Sequence, residues 1–158
     1  MVKNILITGG AGYIGSHISE ILVKKKKKVF IVDNLSTGYR KLINKKAKFF
    51  KVDILNIKKV KNVIIQYKID SIIHLAANLI IGEGEKYPKK YYRNNVKGTK
   101  NLLLACQNTN IINFIYTLRT KKGEHLPVFV HSHHIHQHEK SEQFGIKSPI
   151  YIDHLVCF

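Results

Sequence analysis

Short apolar runs alternating with helix-spaced segments, a glycine triplet straight after the first run, and acids closing the next two runs predict an α/β fold. The expected architecture is a doubly wound parallel sheet that stops after about the fifth strand. Val2–Ile7 is the first strand, and Gly9, Gly12 and Gly15 follow at once. Ile14, Ile18, Ile21 and Leu22 recur at helical spacing, which places a helix over Tyr13 to Lys24. Val29–Val32 is the second strand, closed by Asp33 and Asn34, and Phe49–Val52 is the third. Val60, Val63, Ile64 and Tyr67 mark a second helix, and Ser71–Ala76 is the fourth strand. Pro88 suits the first turn of a helix carrying Val96, Leu102, Leu103 and Ala105. Ile111–Tyr116 closes the series, and a strand–helix–strand rhythm of this kind builds parallel pairs through right-handed crossovers.

A chain of 158 residues, 44% hydrophobic and 9% aromatic, can bury one full core but not two domains of ordinary size. The same composition excludes wholesale disorder. Two cysteines, Cys106 and Cys157, exclude a disulfide scaffold and read as reduced thiols of a cytoplasmic protein. The first apolar stretch, interrupted by Lys3 and Asn4, is too short for a signal peptide or a membrane span, so no membrane partner is expected. Lys and Arg number 27 against 10 Asp and Glu, a net charge of +17. Lys24–Lys28 is a run of five where a helix hands over to a strand. In a chain equally rich in isoleucine and asparagine, residues of A- and T-rich codons, such lysines read as a solvated face. No aromatic residues interleave with them for base stacking, so nucleic acid is not the expected partner. The charge suits a phosphorylated ligand without naming one.

Three places carry chemistry. Gly9-x-x-Gly12-x-x-Gly15 lies between a strand and a helix, where a tight turn, close approach to a pyrophosphate and helix–strand packing each require a glycine. The helix that follows offers free N–H groups and the positive end of its dipole to phosphates. Asp33 closes the second strand, eighteen residues beyond Gly15, where a dinucleotide fold puts the carboxylate that accepts from the adenosine ribose. A carboxylate repels the 2′-phosphate of NADP, which favours NAD. Arg40 is close in sequence but lies past the Gly38 turn. Asp53, at the end of the third strand, is placed either to approach the adenine or simply to close a turn. The small residues after His74-Leu75 let a cofactor lie across the sheet edge, whereas His74 itself, inside the strand, reads as a satisfied core histidine. Asn94 and Asn95 are poor helix formers within a helix, either functional contacts or solvated surface.

The run Thr8-Gly-Gly-Ala-Gly-Tyr-Ile-Gly-Ser-His17, with Val32-Asp-Asn-Leu-Ser-Thr-Gly38, resembles the UDP-glucose 4-epimerases of the extended short-chain dehydrogenase/reductase group. His74-Leu-Ala-Ala77, Gly82-Glu83 and Tyr91-Tyr-Arg-Asn-Asn-Val-Lys-Gly-Thr-Lys-Asn-Leu-Leu103 fit the same family. The resemblance covers residues 1 to about 116 and implies a Rossmann-type fold holding NAD, which takes a hydride from C4 of a UDP-hexose and returns it to the other face. It further implies that Gly9, Gly12, Tyr13, Ile14 and Gly15 hold the pyrophosphate and Asp33 the ribose. Asn34, Ser36, Thr37 and Gly38 would line the adenosine side, with Asp53 and Ile54 at the adenine. Leu75, Ala76 and Ala77 would pack beside the cofactor, with Asn95 near the nicotinamide end. Leu79 stands where many members carry a cofactor-contacting lysine. A UDP-sugar is the expected substrate of a full-length member, and a homodimer is open to an intact relative.

The resemblance stops after Tyr116. Members continue into a Ser-rich stretch and a Tyr-x-x-x-Lys pair whose tyrosinate is the general base. None of the eight tyrosines here has a lysine four residues on, so no catalytic residue is assigned. Composition changes at the same point. Residues 1–116 carry 22 basic and 6 acidic residues, whereas 117–158 carry 5 and 4 together with seven of the nine histidines. The chain therefore reads as an incomplete NAD-binding domain over 1–116 and a divergent, His-rich tail over 117–158, frameshifted or disordered. His131-Ser-His-His-Ile-His-Gln-His138 offers imidazoles without a cysteine pair or carboxylate at a ligand spacing, so no metal site is assigned. Two classes stay open: an epimerase represented by an amino-terminal or frameshifted piece, and a non-catalytic dinucleotide- or metal-binding module with its own tail. Stopping at the fifth strand would also leave an apolar sheet edge open to aggregation unless the tail packs there.

Overall fold

The computed structural model describes residues 2–119 and 125–131. Its strands are β1 (Asn4–Thr8), β2 (Lys28–Asp33), β3 (Lys48–Lys51), β4 (Ser71–His74), β5 (Asn113–Arg119) and β6 (His125–His131). They form one sheet in the order β3-β2-β1-β4-β5-β6. The first five are parallel, as the alternating pattern predicts, and the strand order reverses beside β1. Both faces of β1 and β2 are buried. Leu6, Phe30, Val32, Ile72 and Phe114 pack on one side with α2 (Ile57–Gln66) and α5 (Gly98–Cys106), burying Val60, Ile64 and Leu102. Ile5, Ile7, Val29 and Ile31 pack on the other, against Ile18, Leu22 and Val23 of α1 (Tyr13–Lys24). Burial on two faces explains the near-continuous apolar runs.

Besides shifts of one to three residues at the ends of β1, β2, β3 and β5, four details differ from the sequence reading. The fourth strand ends at His74, because Ala77 N–H turns back to the Leu75 carbonyl at 2.9 Å and leaves the ladder. An unexpected short helix, α3 (Ile81–Lys86), follows. The helix opened by Pro88 is not uniform: α4 (Pro88–Tyr91) passes through a π-helical stretch, Tyr92–Lys97, before α5. Such widened turns re-aim side chains and recur at functional sites. Finally β6 pairs antiparallel with β5 along its whole length, from Asn113 opposite His131 to Arg119 opposite His125. The edge of β5 is thereby taken. Of the histidine run, only the backbone of His131 belongs to the described residues, and the rest lies outside them.

Candidate functional site at the carboxyl end of the sheet

The glycine loop joins β1 to α1 at the strand-order reversal. Gly9 adopts φ +73°, and a β-carbon there would lie 2.7 Å from the backbone of Leu75 and Ala76. Its N–H donates to the Val32 carbonyl at 3.0 Å, so one residue ties β1 to strands on both sides. At Gly15 a β-carbon would collide with the Gly9 carbonyl and lie 2.7 Å from Gly10 Cα. Backbone cannot give way as a side chain can, so both positions demand glycine. Gly12 is looser, with only the Gly9 carbonyl nearby at 3.3 Å. It is the N-cap of α1, with no side-chain cap and no acid in the first turn. The opening N–H groups of that helix have no intrahelical partner, and the Tyr13 and Ile14 side chains beside them are exposed. Tyr13 packs against His17 with ring centroids 4.6 Å apart and the planes tilted by 53°.

Asp33 and Asp53 stand next to this loop. The Asp33 carboxylate is buried, accepting from Ala11 N–H at 3.0 Å and from Leu35 N–H at 2.8 Å. It therefore holds the glycine loop and its own turn in register, and keeps lone pairs for a further donor. Asn34 bridges the strand ends: its amide donates to Asp53 at 3.0 Å and accepts from Ser36 N–H at 2.9 Å. The other Asp53 oxygen accepts from Leu55 N–H at 2.8 Å. Gly38 lies with its would-be β-carbon 2.8 Å from Ala11 Cβ, so the loops touch. Ser36 and Thr37 are exposed. Arg40 sits over the Phe49 ring at 4.7 Å. Ile54 is placed differently from the rest. It is 4% exposed, and its side chain abuts Gly98 within the core.

On the far side of the loop, Leu75 N–H extends β4 by donating to the Thr8 carbonyl at 3.0 Å, and Leu75 and Ala76 lie under Gly9. Ala77 and Leu79 are exposed. Asn95 is buried and spends its amide on the loop: Oδ1 accepts from Asn78 N–H at 2.8 Å, and Nδ2 donates to the Asn78 carbonyl at 3.0 Å. Asn94 donates to Asn95 Oδ1 at 2.9 Å and to the Ala76 carbonyl at 3.3 Å. Tyr91 donates to the Ile80 carbonyl at 2.7 Å and packs under Gly84. His74 is a satisfied core histidine, with Nδ1 2.6 Å from Thr8 Oγ1 and Nε2 2.8 Å from Thr99 Oγ1. Burial pushes its pKa down to about 4.

Glycine spacing and strand-end acids thus pick out residues that the fold brings together. Sequence reasoning missed Gly10, whose β-carbon would strike Ile31, and the partners Asn78, Thr8 and Thr99. Thr8, the last residue before the glycine loop, offered a positional signal; Asn78 and Thr99 offered none. Among the described residues, no group of three His, Cys, Asp or Glu side chains could hold a metal. No helix among them is long and apolar enough to cross a membrane.

Comparison with known proteins gives one consistent result. The family model for the NAD dependent epimerase/dehydratase family matches residues 5–118. UDP-glucose 4-epimerase of Lactobacillus helveticus is 42% identical over 113 residues, covering 72% of this chain and 34% of the relative. The Drosophila melanogaster enzyme is 36% identical over 126 residues, covering 72% and 36%. Among solved structures, UDP-glucose 4-epimerase from Brucella ovis in complex with NAD superposes with a TM-score of 0.70 at 39% identity, over 73% of this chain and 35% of that one. The UDP-Glc/GlcNAc 4-epimerase of Campylobacter jejuni gives 0.69 at 32%, over 80% and 44%. The chain spans about a third of the length of the curated relatives it matches.

Proposed function

Since the chain belongs to the NAD dependent epimerase/dehydratase family, we propose that residues 1–116 form the NAD-holding part of a cytoplasmic isomerase of the UDP-glucose 4-epimerase type. One observation carries the reading: Gly9 and Gly15, where a β-carbon would strike neighbouring backbone, fold the turn so tightly that Gly12 and the start of α1 stand beside the buried carboxylate of Asp33, which accepts from Ala11 N–H at 3.0 Å. The residues fit a dinucleotide. Tyr13 and Ile14 present helix-opening N–H groups to the pyrophosphate, and Gly12, whose own N–H donates to the Gly9 carbonyl at 3.1 Å, keeps the approach free of a side chain. Asp33 accepts from the adenosine ribose, Asp53 with Asn34 faces the adenine, and Asn95 shapes the nicotinamide end through the Asn78 loop. The chemistry NAD supplies when bound is the reversible acceptance of a hydride from C4 of a UDP-hexose. Taking the proton from the C4 hydroxyl requires a base, and no Tyr-x-x-x-Lys pair stands in these 158 residues. The chain as given therefore binds NAD without turning over a UDP-sugar.

Isothermal titration of the purified chain tests this. NAD should bind saturably, NADP about tenfold or more weakly through repulsion at Asp33, and UDP-galactose should not be converted. Equal binding of NAD and NADP would sink the Asp33 assignment, and conversion would sink the inactivity. A second reading, a non-catalytic dinucleotide-binding module whose tail is its own, is favoured by the pairing of β6 with all seven residues of β5. Sequencing the gene across codon 116 and translating all three frames separates the two. Tyr-x-x-x-Lys in another frame identifies an interrupted epimerase gene, whereas its absence from every frame leaves the module.

A further inference from the structure

His74 ties together elements that the ligand reading keeps separate. Its ring lies between Thr8, the residue preceding the glycine loop, and Thr99, one turn beyond Asn95 in the helix. The direction of each hydrogen bond can be worked out from one end. Thr99 Oγ1 is 2.6 Å from the Asn95 carbonyl, which can only accept, so the single Thr99 hydroxyl proton is committed there. Thr99 Oγ1 must then accept from His74 Nε2, which carries the ring proton. Nδ1 is left as an acceptor and takes the Thr8 hydroxyl proton. The result is a chain running one way: Thr8 O–H to His74, His74 Nε2–H to Thr99, and Thr99 O–H to the Asn95 backbone. The Asn95 amide then grips Asn78 from both sides.

We infer that His74, as the neutral Nε2–H tautomer, is a positioning residue that fixes the distance between the glycine loop and the Asn78 loop. Both of its partners are buried, as are Asn95 and His74 itself, so the chain is shielded from competing water. The inference rests on the dinucleotide reading: the two loops it spaces are those proposed to meet the pyrophosphate and the nicotinamide end. Asp33 ends β2, Asp53 follows β3, and neither takes part in the chain. A ligand confined to the adenosine side should therefore be indifferent to it. The burial-lowered pKa agrees, since a second ring proton would turn Nδ1 into a donor facing the Thr8 hydroxyl.

Two measurements test the inference on the full chain. The first is the 15N spectrum of the histidine side chains, which distinguishes protonated from bare ring nitrogens. At neutral pH, His74 should show a proton on Nε2 and none on Nδ1, and a proton on Nδ1 overturns the proposed direction. The second is titration of Thr99→Val with NAD and, separately, with AMP. The variant should lose about tenfold in NAD affinity, since His74 Nε2–H loses its acceptor and the Asn95 carbonyl the hydroxyl that donates to it, while AMP binding stays within about twofold. Unchanged NAD affinity, or equal weakening of NAD and AMP, overturns the positioning role. If unmodified protein binds neither ligand, the dinucleotide reading fails and takes the loop-spacing role with it. The tautomer spectrum stands independently of that outcome. It also serves if Thr99→Val does not fold.

Discussion

The two flanks of the glycine loop use different materials. On the β1–β2–β3 flank the work is done by missing β-carbons at Gly9 and Gly15 and by carboxylates at strand ends, Asp33 and Asp53. On the β4 flank it is done by amides, hydroxyls and an imidazole inside regular elements, Asn95, Thr99 and His74. A glycine wedged against backbone has no substitute, so residue type alone discloses its role. An asparagine in a helix has an equally ordinary life on the surface, so its role appears only when Asn78 is found against it. The first flank is fixed by exclusion of volume, the second by hydrogen bonds that a single substitution can cut.

Breaking the first flank should have the largest effect. Gly15→Ala drives a β-carbon into the Gly9 carbonyl and Gly10, and should cost upwards of about 3 kcal/mol, with NAD binding lost. Urea denaturation and titration check this, and an intact site in the variant would show that the loop can move. The second flank should instead respond to acid. His74 titrates near 6.5 when unfolded and is lowered to about 4 when folded, so its contribution is complete above pH 6.5 and is lost as pH falls toward 4. That is on the order of 3 kcal/mol by linkage. Urea melts at pH 7 and pH 4.5 should show this drop, smaller in His74→Gln, and an equal drop in both proteins would point to other groups. Asn95→Ala leaves both backbone groups of Asn78 without their partner and should cost about 2 kcal/mol in the same melts. The smallest effect lies outside both flanks. Gly82, in α3, has nothing within 4 Å of a would-be β-carbon, so Gly82→Ala should stabilise slightly, by about 0.5 kcal/mol.

The parallel order of β1 to β5 was legible because the central strands β1 and β2 are buried on both faces and read as apolar runs between turn signals, with the shorter runs of β3, β4 and β5 set between helical spacings. The bounds of α1 were legible because its apolar spacing begins at the glycine loop and ends in lysines. The π-helical stretch was not. Helical spacing of Val96 and Leu102 does not encode it, and the contact of Asn95 within it to Asn78 becomes visible only in the fold. Nor was β6, which the sequence reading left within the tail and which pairs along the edge of β5. Within the site, the glycines and acids were readable from spacing, whereas the burial of Ile54 under Gly98 follows from the packing of α5.

A dinucleotide held at the carboxyl end of β1, β2 and β4, as proposed, must perturb the backbone there. Backbone amide shifts of the 15N-labelled chain, followed as NAD is added, test it most directly. The largest changes should fall on Gly9 to Ile14, Asp33 to Gly38 and Asn78, with residues at the amino ends of the strands unmoved. Saturating NAD that leaves the Gly9–Gly15 amides unshifted would contradict it.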